Sequence, residues 1–560
     1  MSTFAKTSIK AAENFLQTVV IVDNQARFGP EDTSESVASN LIAPDEFAAG
    51  ETAGPEQATL ESVKTNDGPL DAQKITRSFA CKNLACAILR PSPDDKMEDA
   101  VLNAARRSDI LVLDWQMYDS GELAASIVSK LLEADGPGGR LRLIAIYTSQ
   151  SPLADIAISL AAKVPTLLQT GQVPVLTRGS ARIILLSKGK SANAPQEAEY
   201  AVDEDDLSQR LIEEFAKFAQ GLLSNATMAS IAGFRDHTHR MLARFDSSMD
   251  GPLLTHRALL PTASDAEEFA ADMIMAELEA QVPVRRIIRE YLGEPQILEY
   301  IRHRVDSGLK PSVALNGGDT PNLYELDIKK TCALIKSGFA AIEGDVAVMS
   351  KIAKQQDEAK FKKTMRAEFH NRLYQLLNTD IHESKRQHSE FAVRSKIRRA
   401  ETSVGENFLP QLRLGSILRR SDRHWVCLTP PCDSIRIPEV GGSFLFAELT
   451  ETNGNFDLIL PDDDKFRRVE LQRKRTNLMS LNFLPDGDRN VVAVTIKGKP
   501  CFVPLSVNGK ANRRAALRWI AELKPMHAQR LVQNYASNLA RVGVDDFEWH
   551  RIQMPGGVAE

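Results

Sequence analysis

Four apolar runs, TVVIV at 18–22, ILVL at 110–113, RLIAIYT at 142–148 and RIILLS at 182–187, constrain the fold of this chain more than any other feature. Each is too short for a free-standing helix and carries apolar residues at successive positions, so each reads as a strand buried on both faces. Between them lie segments with helical apolar spacing: DKMEDAVLNAARR (95–107), GELAASIVSKLLEA (121–134) and PLADIAISLAAKV (152–164). An order of β, α, β, α with right-handed crossovers predicts a doubly wound parallel sheet.

The residues that end these runs matter as much as those within them. Asp23 follows the first, Asp114 the second, Thr148 closes the third and Lys188 follows the fourth. In doubly wound sheets ligands bind beyond the carboxyl ends of the strands, where the order of connections reverses. Two carboxylates, a hydroxyl and an ammonium are therefore expected at one edge. Carboxylates are hard oxygen ligands for Mg2+, and an ammonium neutralises a phosphoryl group. The set suits an acyl phosphate on Asp114.

On these residues, 5–195 resembles a response-regulator receiver domain, of the divergent kind found in bacterial conflict and anti-phage defence systems. The segment AENFLQTVVIVDNQA (12–26) is the closest local match, and Met117 and Ser149 also fit the pattern. The resemblance implies a cytoplasmic phosphoprotein of two-component signalling whose partner is a histidine-kinase-type ATPase. It implies that Asp114 is the phosphoacceptor, Thr148 the switch hydroxyl and Lys188 the phosphate counter-ion, with Asp23 and Asp114 as the metal carboxylates. Three departures stand out. The first strand ends in Asp23-Asn24 rather than an acidic pair, so Mg2+ meets two carboxylates and is expected to bind more weakly. Leu185 stands where the pattern has a rotating aromatic, so the output must be read differently. Finally, 91 residues separate Asp23 from Asp114, far more than such a domain needs.

The excess lies in residues 26–76, where ten carboxylates face three basic side chains among small and polar residues. Few large apolar groups are present to offset the entropy of ordering, so an acidic mobile insertion is expected, with a folded flap as the alternative. The net charge of the chain is only −5. Residues 346–423 carry seventeen Lys or Arg against nine Asp or Glu, the one compositional hint of an anionic partner. No apolar run approaches the roughly 20 residues of a membrane span and no leader pattern opens the chain, so a cytoplasmic protein without membrane association is expected.

At 560 residues the chain has length for several domains. The expected division is a receiver-like domain at 1–195, a helical domain at 205–345 after a linker at 190–204, a long basic helical segment at 346–405 and an α+β domain at 406–560 with a small sheet or barrel. Phe361, Met365, Phe369 and Leu373 form one apolar stripe in the basic segment, suited to helix packing or homo-oligomer contact. Residues 512–541 read as a helix bent at Pro525, and FEWHRI as a last strand. The spacings Cys81/Cys86 and Cys427/Cys432 lack the companions of a zinc site, and His237 and His239 diverge on a helix.

No enzymatic activity is expected, and the primary reading is a signalling or scaffold protein. The alternative is a nucleic-acid-binding effector acting through the basic segment and through Arg467, Arg468, Arg473, Lys474 and Arg475 with Phe466. A third reading makes Cys432-Asp433 in LTPPCDSIR the nucleophile of a hydrolase, with His424, His527 or His550 as base.

Overall fold

The computed structural model describes residues 2–28, 69–91, 97–118, 120–136, 139–150, 152–169, 174–189, 195–260, 262–263, 265–281, 284–315, 322–353, 369, 372–378, 380–405, 408–463, 465–472 and 477–539. They fall into two compact units, 1–246 with 273–307, and 247–272 with 308–560. Most of the expected insertion, the Phe361 and Met365 positions, the FEWHRI segment and Arg473 to Arg475 lie outside the described residues.

The first unit is built on the predicted parallel sheet. Strands β1 (Thr18–Val22), β2 (Ala85–Leu89), β3 (Ile110–Leu113), β4 (Arg142–Thr148) and β7 (Ala181–Lys188) run parallel in the order β2-β1-β3-β4-β7. A short antiparallel pair, β5 (Leu168–Gln169) and β6 (Val175–Arg178), extends the edge beyond β7. The chain moves one way from β1 to β2 and the other way from β1's far side through β3, so the reversal falls between β1 and β3. Those strands end at Asp23 and Asp114.

Alternation of side chains along the strands divides the core into two layers. Val19, Ile21, Val112, Leu143, Tyr147 and Ile184 face helices α1 (Thr3–Phe15), α2 (Ala72–Ala80) and α6 (Leu207–Ala219). Val20, Leu111, Leu113, Ile146 and Leu185 face α3 (Met97–Ala105), α4 (Glu122–Ala134) and α5 (Leu153–Lys163). Helix starts are set by side-chain caps: Ser2 accepts from the Ala5 amide and Asp71 from the Lys74 amide. At the amino-terminal end of the central strand β4 the fully buried Arg142 pairs with Asp135 at 3.0 Å and binds the Ser108 carbonyl, so its charge is neutralised where it is buried.

The division expected from sequence is corrected at residue 195. Residues 190–204 read as a linker, yet Pro195–Tyr200 is a 3-10 helix and β8 (Ala201–Val202) joins the sheet beside the last two residues of β7. Helix α6 then packs on the sheet, with Leu207, Leu211 and Phe215 fully buried and Phe215 stacked on Phe15 at 5.9 Å. A parallel sheet must be covered on both faces, and α1 and α2 are too few to cover one. Helix α7 (Leu222–Arg244) and Tyr291 of α8 (Val284–Leu292) complete that layer.

The second unit begins with helical segments, as expected for the middle of the chain, and adds a small hairpin of β9 (Ser312–Ala314) and β10 (Leu323–Glu325). Phe369 is fully buried against Phe339 at 5.3 Å in the core beneath it. The described carboxyl-terminal strands form one antiparallel sheet whose centre pairs β11 (Ser416–Arg420), β12 (Arg423–Cys427) and β13 (Gly442–Glu451), with β14 (Leu517–Leu523) on the other side of β11. The helix expected from residue 512 is thus corrected: Leu517–Leu523 is a strand, and the helix starts at Pro525 and runs to Leu539. This central strand is buried on both faces, and one short run of that kind cannot be distinguished from a helix; Pro525 opens a helix rather than bending it. Among the described residues no helix is long and apolar enough to cross a membrane.

Candidate functional site

Ladder bonds carry both aspartates to the same rim. The Asp23 amide donates to the Leu89 carbonyl at 3.1 Å and the Asp114 amide to Val22 at 2.9 Å, so both residues continue the parallel pairing one step past their strands. Thr148 closes β4 and pairs in register with Ser187, which places Lys188 next to it on β7. Asp23, Asp114 and Thr148 are buried, and the Lys188 side chain is only 13 % exposed.

The ammonium joins the two carboxylates. Lys188 Nζ lies 2.7 Å from Asp23 Oδ2 and 3.6 Å from Asp114 Oδ2. The other oxygen of Asp23 accepts from the Gln25 amide at 2.7 Å, forming the turn that leaves β1. Asp114 Oδ1 has a longer contact, 3.5 Å to the Gln116 amide. Burial pushes the Asp114 carboxyl above its ordinary value; Lys188 opposes the shift and the charge of Asp23 adds to it. Thr148 Oγ1 accepts from the Gln150 amide at 3.2 Å. The structure therefore brings together all four residues expected from the sequence.

Asn24, where the sequence departs from an acidic pair, is bound through its backbone: its carbonyl accepts from Arg90 Nε at 3.0 Å. Its side-chain oxygen is buried and takes no hydrogen bond among the described residues. An unpartnered buried oxygen is costly unless something occupies it. By donor type, two carboxylates and an amide oxygen are hard ligands of the kind Mg2+ accepts, with one negative charge fewer than three carboxylates. Among the described residues, this rim included, no cluster of three or more His, Cys, Asp or Glu side chains is placed to hold a metal. Of the cysteine pairs, Cys427 is buried whereas Cys432 is exposed, and neither pair is bridged.

The loop after Asp114 is held tightly. Trp115 is buried, with Lys163 Nζ 5.6 Å from its ring, and Tyr118 adopts φ +68° with its hydroxyl donating to the Pro91 carbonyl at 2.8 Å. Gly121, at φ +85°, begins α4 where a Cβ would run into the Trp115 indole. Leu185, in place of an aromatic ring, is fully buried against the α4 and α5 layer.

Sequence reading missed Tyr147 and Val202. The buried Tyr147 hydroxyl donates to the Val202 carbonyl at 2.9 Å, and Lys188 Nζ lies 5.7 Å from the ring centre. The available signal was a tyrosine inside an otherwise apolar strand, whose buried hydroxyl requires a partner.

The second unit provides little support for the alternatives. Arg467 is engaged with Asp462 at 2.7 Å and Glu451 at 2.9 Å, and Arg468 covers the Phe456 ring at 5.3 Å. His424 is buried, with Nε2 3.3 Å from Asp462 Oδ2, in the same network as Arg419. Among the described residues no hydrogen bond joins Cys432 to a histidine.

Residues 15–193 match the family model described as a response receiver domain, and strands β1 to β7 and the rim just described fall within that match. No curated protein matches the chain. No solved structure matches it either.

Proposed function

We propose that the first unit is a receiver that accepts a phosphoryl group on Asp114 from a histidine-kinase-type partner and conveys that state to the rest of the chain. Response-regulator-like signalling follows from the match over residues 15–193. The observation that supports phosphotransfer is the convergence of Lys188 on both Asp23 and Asp114 at the switch point of the sheet.

In the proposed step an Asp114 carboxylate oxygen attacks the donor's phosphorus, the bond from phosphorus to the donor atom breaks, and that atom leaves with its electron pair. The product is an acyl phosphate, which carries about −1.5 to −2 charge near neutral pH. Lys188 would move from Asp23 toward the new phosphoryl oxygens, and Thr148 would exchange its accepted amide for a donated hydroxyl bond. Asp23, Asp114 and Asn24 Oδ1 would hold Mg2+, which supplies positive charge to offset the transferring group. The chain is proposed to act as a signalling component without an enzymatic activity of its own. Its proposed setting, bacterial stress or phage-defence signalling, rests on the resemblance of residues 12–26 alone.

The test is incubation of the full chain with Mg2+ and acetyl phosphate, followed by intact mass. A phosphate-sized gain that disappears in Asp114→Asn supports the reading. No gain with this donor or with a panel of histidine kinases would reduce the domain to a docking module.

A further inference from the structure

The site lacks the aromatic ring that would report its state through β7, yet it is connected to α6 by another path. Val202 is the in-register partner of Lys188. Its carbonyl accepts two hydrogen bonds, from the Tyr147 hydroxyl at 2.9 Å and from the Gly189 amide at 3.3 Å. Tyr147 immediately precedes Thr148, and its ring lies 5.7 Å from Lys188 Nζ. One side chain thus touches the counter-ion, neighbours the switch hydroxyl and binds the strand that leads into α6.

The stretch beyond Val202 is anchored on its other side. The Asp71 amide donates to Glu204 Oε1 at 3.1 Å, Lys74 Nζ pairs with Asp205 at 2.9 Å, and Ser78 Oγ donates to the Asp205 carbonyl at 3.0 Å. Helix α6 begins at Leu207, which is fully buried. Asp71 in turn bridges to Arg27, where the chain departs from the site after β1. Displacement of β8 is therefore felt at α6, at α2 and at the chain just past Asp23.

We propose that Tyr147 is a positioning residue for Lys188, and that Tyr147 and Val202 together carry the state of the Asp114 site to α6. The proposal rests on the phosphoryl-acceptor reading for its signal, but the mechanical link is independent of it. When Lys188 leaves Asp23, its contact with the Tyr147 ring and the end of the β7–β8 ladder change together. The hydroxyl bond to Val202 transmits that change, and the anchored and buried start of α6 receives it.

The experiment uses the full chain and reads two quantities separately. Fluorine NMR with Mg2+ and beryllium fluoride measures occupancy of Asp114, and amide hydrogen exchange measures protection at residues 201–219. In the wild type, occupancy changes protection at 201–219. Tyr147→Phe keeps the ring and removes only the hydroxyl; it is expected to retain occupancy while the protection change shrinks about fivefold, the effect of one hydrogen bond. Without any fluoride, Lys188→Ala is expected to raise exchange at 201–206 by a similar factor, and to do so much less in the Tyr147→Phe background. If no fluoride complex forms but the Lys188→Ala effect is seen and depends on Tyr147, the coupling stands and the phosphoryl reading falls. If Lys188→Ala leaves exchange at 201–206 unchanged, or Tyr147→Phe transmits occupancy as the wild type does, the coupling is overturned.

Discussion

Lys188 Nζ lies 2.7 Å from Asp23 Oδ2, whereas Asp114 Oδ2, the proposed acceptor oxygen, is 3.6 Å away. The counter-ion is thus held by the carboxylate that a metal would claim. Cation binding at Asp23, as proposed, would compete with the Lys188–Asp23 pair for one group, and metal arrival would free the ammonium to turn toward Asp114.

Removal of that ammonium leaves two buried carboxylates facing each other. Lys188→Ala is expected to lower the stability of the first unit by about 2–4 kcal/mol at pH 7, as removal of one partner of a buried pair does. Stability should return in mild acid as Asp114 takes up a proton. Urea denaturation at pH 7 and pH 5 checks both parts; equal loss at the two pH values would refute the electrostatic account.

Asp114 itself has a definite sign. Burial raises its folded-state pKa above the unfolded value of about 3.9, so the folded state binds the proton more tightly. Its ionisation therefore costs stability as pH rises through the window between those two values, and the cost persists at neutral pH. Asp114→Asn removes the charge and is expected to be more stable than the wild type at pH 7 by about 1 kcal/mol, with the difference gone at about pH 4. Paired denaturation curves at the two pH values measure it.

The four rim residues were legible because the same pattern that makes a strand buried on both faces also ends it with the residue displayed at its tip. Asp23, Asp114, Thr148 and Lys188 could be aligned by counting from apolar runs. Edge strand β2 was not seen, since ACAIL is half exposed and follows a cysteine-bearing turn. Nor was β8, whose two residues form a strand only because β7 provides a partner. Leu517–Leu523 was misread because burial on both sides erases the alternation that marks a strand. Each failure comes from pairing between residues far apart in sequence, which local periodicity does not record.

The proposed metal site is open to strengthening by an added charge. Asn24→Asp adds a third carboxylate beside Asp23, where the Asn24 amide oxygen has no hydrogen bond among the described residues. Mg2+ affinity measured by calorimetry is expected to rise by about tenfold, equivalent to about 1.4 kcal/mol. The apo protein should lose stability at low salt through repulsion, and Mg2+ should recover more than that loss. Unchanged affinity would place the cation away from residue 24.

Gly121 tests whether the loop after Asp114 is held from behind. Its φ of +85° and the closeness of the Trp115 indole both disfavour a side chain. Gly121→Ala is expected to cost about 2–4 kcal/mol, from strain in the backbone and displacement of the indole together. The displacement should move Trp115 next to the acceptor, so phosphoryl uptake should slow even at temperatures where the variant is fully folded. Uptake at the wild-type rate in a destabilised variant would show that Trp115 does not set the acceptor loop.

The second unit makes an independent prediction about acid. Burial pushes the His424 imidazole below its ordinary value although Asp462 faces it, because Arg419 and Arg467 share the same carboxylate. The unfolded histidine, with a pKa near about 6.5, binds a proton more readily than the folded one. Stability contributed by this strand region is therefore complete above about pH 6.5 and is lost as pH falls toward the lower folded value. Trp425 and Trp519 lie in the same sheet, so in a Trp115→Phe background tryptophan fluorescence during urea denaturation reports this unit. The midpoint is expected to drop between pH 7.5 and pH 5.5 with His424 intact and to drop less in His424→Asn, which keeps a polar side chain near Asp462 but cannot take up the proton. An identical drop in both would assign the acid sensitivity to other groups.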